Sequence, residues 1–132
     1  MKYTTIGLFG VLALILAACG GSESVVSYAD LPTEGDPVRG EALYFQASGL
    51  SPACSACHVA EAAGAPVLDE NYPALAAQRV AGQDAHEYTF YAIVEPGQYI
   101  VEGYGNAMYN RYDENLEPQD IADLIAYLLE EE

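Results

Sequence analysis

Basic side chains are scarce in this chain: its 132 residues carry 4 Lys and Arg against 20 Asp and Glu, a formal net charge of −16. Lys2 stands in a leader-like segment, and removing residues 1–18 takes the charge from −16 to −17 with only Arg39, Arg79 and Arg111 left. So few cations exclude nucleic-acid binding, which needs clustered Lys and Arg to neutralise phosphates. They equally exclude electrostatic adhesion to anionic lipid. Protein partners are expected to present basic patches, with association rates that fall as salt rises; the alternative is that the acidity serves solubility or a saline habitat. Also lacking are a nucleophile motif and an acid–base pair, so neither a catalytic residue nor a small-molecule substrate is expected. The length leaves room for one domain.

Sulfur and imidazole are as sparse, with 3 Cys, 2 Met and 2 His, and three of those seven are concentrated in Cys54-Ser55-Ala56-Cys57-His58. Two thiols three residues apart followed at once by an imidazole form the attachment pattern of a c-type haem. Each cysteine adds across one porphyrin vinyl group, and His58 lies where its ring nitrogen reaches the iron. A thioether suits the opposite side, because a soft sulfur ligand favours ferrous iron. Met1 falls in the leader, which makes Met108 the expected sixth ligand. A thioredoxin-like pair is the rival for the two cysteines, but it belongs at a helix start in a strand-helix-strand context, and no such strand pattern flanks the motif. A zinc site needs four ligands, and the remaining histidine, His86, is distant. His86 reads as a solvated side chain in a first helical turn, with a rival axial role as the alternative.

Residues 1–18 combine a charged start, an apolar run from Ile6 to Leu16 and small residues before a cysteine, the form of a secretory signal peptide. The run is short for a membrane span of about 20 residues. Leu16-Ala17-Ala18-Cys19 resembles the bacterial lipobox, which implies that Cys19 is lipidated and that the protein is anchored on the outer, periplasmic side of a membrane. An uncleaved N-terminal helix, placing the domain in the same compartment, is the alternative, and a chance cysteine in a simple signal peptide is another. Residues 19–36 read as a flexible tether whose reach as a coil is on the order of 20 to 25 Å, and residues 37–132 as the haem domain. At about one hundred residues such a domain has a marginal peptide core, which a covalently held haem would enlarge.

Within that domain, Asp36-Pro37 opens a first helix with a carboxylate at N-cap and proline at the first position. Gly40 inside it costs roughly 1 kcal/mol relative to alanine and predicts close approach of another backbone; Tyr44 shares its face. Asp84 to Val94 reads as a middle helix, with Asp84 and Glu87 as a capping pair and Tyr88, Tyr91 and Ala92 facing inward. It stops before Pro96-Gly97. A final helix begins at Pro118, with Ile121, Leu124, Ile125, Leu128 and Leu129 on one stripe and Leu116 and Ile121 as a hydrophobic staple. Its last residues, Glu130 to Glu132, oppose the helix dipole. Val59 to Glu70 reads as a loop, and Gln98 to Met108 as a glycine- and tyrosine-rich loop folded over a flat ligand.

From about Pro37 to Leu129 the chain resembles the small class I cytochromes c, mono-haem proteins of all-α fold whose N- and C-terminal helices cross beside one covalent haem. Gly40, Tyr44, Leu124 and Tyr127 match the glycine, aromatic, leucine and aromatic of that crossing. The resemblance implies a proline carbonyl supporting His58 and a leucine against the haem, roles assigned to Pro73 and Leu75, although Pro66-Val67-Leu68 repeats the pattern nearer to His58. It implies propionate partners, with Arg79, Tyr99 and Tyr104 as candidates. Family members usually place proline after the ligand methionine, where this chain has Tyr109. The implied function is single-electron transfer between respiratory or photosynthetic redox partners, from a quinol-oxidising or other dehydrogenase complex to a terminal oxidase or reaction centre. A dedicated subunit of a larger oxidase or dehydrogenase complex is one alternative, and a haem sensor or peroxidase-like enzyme is another.

Overall fold

The computed structural model describes residues 26–60 and 64–130. The leader and the Cys19 lipidation position lie outside the described residues, as do Glu131 and Glu132. Among the described residues five α-helices are formed: α1 (Pro37–Phe45), α2 (Tyr72–Arg79), α3 (Ala85–Val94), α4 (Tyr112–Asn115) and α5 (Pro118–Leu128). Among the described residues no strand forms, only an isolated bridge between Ser48 and Ser51. The fold is all-α, and the cores and loops around it are organised by where α1 meets α5.

Local chemistry explains the helix starts. The Asp36 carboxylate accepts from the backbone N–H groups of Val38 and Arg39, two donors that the first turn of α1 cannot satisfy internally. Asp84 does the same for α3 through the N–H of Glu87. At α5 the reciprocal arrangement forms between Glu117 and Asp120, with Pro118 just inside. Leu116 and Ile121, at the staple positions, are both buried.

α1 packs most extensively on α5, and glycine makes that possible. A Cβ on Gly40 would stand 1.9 Å from the Asp123 carbonyl oxygen, and one on Gly35 2.3 Å from that of Ala122. The close approach brings Tyr44 against Tyr127, ring centroids 5.4 Å apart, while Leu124 is buried in the core beneath. Polar groups fasten the same contact. The fully buried Asp123 accepts from the Asp36 N–H and from Gln119 Nε2, both at 2.8 Å, and pairs with Arg39, which also reaches Asp120. Removing the carboxylate leaves the Asp36 N–H and one arm of the guanidinium without their acceptor. Asp123→Ala is therefore expected to cost about 3 kcal/mol in urea denaturation, and Asp123→Asn, which keeps a carbonyl acceptor, clearly less.

α3 differs from its expected face. Tyr88 is buried as expected, but the rest of the buried set is Thr89, Phe90, Ile93 and Val94, with Tyr91 and Ala92 only half-buried. α3 touches α2, α4 and α5, and a helix with neighbours on several sides has no single stripe to display.

Part of the expected 19–36 tether, from Val26 onward, is folded. Val26 and Leu31 are buried in the main core, and Tyr28–Asp30 form a 3-10 turn capped by Ser27. The Tyr28 hydroxyl lies 3.1 Å from His86 Nδ1, and its ring packs on Phe90 at 5.2 Å. His86 is consequently half-buried against Tyr28 instead of solvated. Residues from Val26 onward belong to the folded domain because Val26 and Leu31 join the main core and Tyr28 packs on α3.

Candidate haem site

The five-residue motif begins in a short 3-10 turn, Cys54–Ala56, whose tight spacing leaves Cys54 half-buried and Cys57 exposed. Burial pushes the Cys54 thiol up to about 11, so before modification it stays protonated near neutrality. The backbone of the motif is held from two sides. Tyr44, on α1, donates its hydroxyl to the His58 carbonyl at 2.7 Å, and Tyr112, on α4, donates to the Pro52 carbonyl at 3.0 Å. Desolvation raises the ionisation of both phenols, Tyr44 to about 12, so they remain donors.

His58 itself is oriented through its ring. Nδ1 lies 2.8 Å from the Pro66 carbonyl oxygen. A carbonyl only accepts, so Nδ1 carries the proton and the Nε2 lone pair is left for a metal. This corrects the assignment to Pro73: the carbonyl that meets the ring is that of Pro66, whereas Pro73 lies in the first turn of α2. Leu75 is corrected with it, since it is 45 % exposed and does not line the site, while Leu68 does.

These elements enclose a cavity of about 340 Å³. Cys54, Cys57 and His58 line it together with Met108, the only methionine among the described residues. Its walls are otherwise largely apolar, with Leu68 and Ile93 from opposite parts of the chain and Ile100 from the long loop. Arg79, Tyr99 and Tyr104 line it too, so those three candidates are brought together with the motif. Tyr72 and Tyr88 add buried phenols. Thr89 Oγ1 donates to the Ala85 carbonyl at 2.7 Å, so Tyr72 must donate to Thr89 across their 3.0 Å contact. His86 is not among the lining residues, which removes its rival axial role.

The donor set fits a haem and fits little else. Among the described residues no three His, Cys, Asp or Glu side chains converge as a metal cluster, which leaves zinc without ligands. No strand flanks the motif among the described residues, so they do not supply the thioredoxin context. Two thiols, an imidazole with a free Nε2, a thioether and an apolar slot are what an iron porphyrin requires. A family model for Cytochrome c matches residues 37–131.

The chain belongs to the cytochrome c family. No curated protein and no solved structure matches it. Its cofactor is one covalently bound haem c, attached through the Cys54-x-x-Cys57-His58 motif, and its chemistry is haem-based electron transfer. The haem supplies a one-electron couple at the iron. In this cytochrome the polypeptide supplies the rest: Cys54 and Cys57 anchor the porphyrin, Pro66 fixes the His58 ring, and Tyr44 and Tyr112 hold the backbone on either side of the motif. Sequence reasoning missed Tyr112 in this role and held Pro66 only as the alternative to Pro73.

Proposed function

We propose that this cytochrome c is a stand-alone single-electron carrier, not an enzyme, with His58 and Met108 as its axial pair and a lipid on Cys19 as its membrane anchor outside the cytoplasm. The observation that carries the first part is that Met108 lines the same cavity as Cys54, Cys57 and His58. An imidazole and a thioether that stay bound in both oxidation states let the charge change with little rearrangement. They also leave no open iron position of the kind a peroxidase or gas sensor needs. Arg79 supports a propionate contact: Arg39 and Arg111 are paired with carboxylates, whereas Arg79 pairs with none among the described residues and lines the cavity with Tyr99 and Tyr104.

The Leu16-Ala17-Ala18-Cys19 run supports the anchor. Because the fold already begins at Val26, seven residue steps separate it from Cys19, a span of at most about 25 Å. That keeps the domain close to the membrane and its partners within a thin layer.

A formal charge of −16 supports partners with basic docking surfaces. Stopped-flow oxidation of the ferrous protein by a basic redox protein tests this. The second-order rate is expected to fall roughly tenfold or more as ionic strength rises from about 0.01 to 0.15 M, where the Debye length shrinks from about 30 to 8 Å. A rate indifferent to salt, or one that rises, contradicts a basic partner; isolation only as part of a larger oxidase or dehydrogenase complex would favour the dedicated-subunit reading.

A further inference from the structure

Tyr109 stands directly after Met108, where members of the family usually have proline. A proline stiffens a loop by fixing φ, and this chain needs another way to hold its thioether. The structure provides one. Tyr109 packs edge-on against Tyr112, ring centroids 5.1 Å apart and planes at 79°. Its hydroxyl accepts from Asn115 Nδ2 at 3.1 Å, and the same amide donates to the Arg111 carbonyl at 2.6 Å. The amide nitrogen has two protons, so each contact has its own donor hydrogen. Tyr112 is in turn tied to Pro52, two residues before Cys54. α4, only four residues long, is what brings Tyr112 and Asn115 to bear on one tyrosine ring.

We propose that Tyr109 and Asn115 form a clamp that holds the Met108 loop closed over the haem, fastening the sixth-ligand side to the haem-attachment segment through Tyr112 and Pro52. The inference rests on Met108 being the axial ligand. Tyr109 and Asn115 are positioning residues: Tyr109 borders the cavity beside Met108, Asn115 holds Tyr109, and both act through Met108.

External imidazole, which binds ferric iron only when the thioether has let go, reads the clamp directly. Its apparent affinity is set by the fraction of molecules with the loop open. Tyr109→Phe keeps the ring and loses only the hydroxyl, so it retains the packing; losing one hydrogen bond is expected to tighten imidazole binding about two- to tenfold. Asn115→Leu is expected to do the same, and the double variant no more than Asn115→Leu alone, because the shared bond is lost once. Asp36→Ala, which removes the α1 cap far from the loop, controls for general loosening and is expected to leave imidazole affinity unchanged. If Tyr109→Phe and Asn115→Leu bind imidazole as the parent does while Met108→Ala binds it far more tightly, the clamp is wrong and the axial assignment stands. An equal effect from Asp36→Ala also overturns the clamp. If Met108→Ala itself binds imidazole as the parent does, both the clamp and the axial assignment fall.

Discussion

Gly40→Ala is expected to destabilise the holoprotein by about 3 kcal/mol or more, the upper end of what forced overpacking costs. Propensity alone predicts the opposite sign, since alanine is favoured over glycine inside a helix by about 1 kcal/mol. Geometry decides between them. The added methyl would lie 1.9 Å from the Asp123 carbonyl oxygen, 2.6 Å from its carbon and 2.8 Å from the Tyr127 Cβ. Two of those three atoms are backbone, so no side-chain rotation relieves the clash. α1 must then move off α5, and it takes with it the Asp36–Asp123 hydrogen bond, the Arg39 pairing and the Tyr44 contact to the His58 carbonyl. A urea midpoint equal to or above that of the parent protein would show that the helices do not meet at Gly40.

The second large effect is on the redox couple. Met108→Ala is expected to lower the reduction potential by a sizeable part of the roughly 0.8 V range over which axial ligands tune haem iron. The direction follows from the soft thioether, which stabilises ferrous over ferric iron; water or hydroxide in its place favours the ferric state. The same variant should bind carbon monoxide readily when reduced, which the parent should resist. Potentiometric titration of both proteins checks the first expectation. An unchanged potential in Met108→Ala would remove the methionine from the iron.

Much of this architecture could be read from the chain because the relevant signals are local. Asp36-Pro37, Asp84 with Glu87, and the Ile121 to Leu128 stripe announce α1, α3 and α5 within a few residues each, and the haem motif spans only five. Gly40 was informative for a different reason: a costly residue in a helix implies a neighbour that forbids anything larger. Where the sequence misled, longer-range packing made the decision. α2 buries only Tyr72 and Ala76 and begins at a Tyr-Pro pair, too little periodicity to read as a helix. α4 is a single turn whose one buried side chain is Tyr112. Val26, Tyr28 and Leu31 sit among small and acidic residues with no helical spacing, and only the assembled core gives them a place to go. The choice between Pro66 and Pro73 was close for an identifiable reason: doubling a loop costs only about 0.6 kcal/mol, so the shorter return from His58 is a weak preference until the path of the chain is known.

With Pro66 as the acceptor, the segment just after the motif both shapes the cavity through Leu68 and orients His58. With α4 in place, Tyr112 links the attachment segment to the loop that carries Met108. The attachment segment and the Met108 loop are thus joined by one continuous set of contacts, from Pro52 through Tyr112 to Tyr109.

The most direct test is optical. Protein produced in a host competent for haem maturation should give a c-type reduced-minus-oxidised spectrum, keep its haem on the polypeptide in a denaturing gel, and show in its ferric form the weak long-wavelength band of a thioether-bound iron. A folded but colourless protein, or one that releases its haem on denaturation, would contradict the account at its centre.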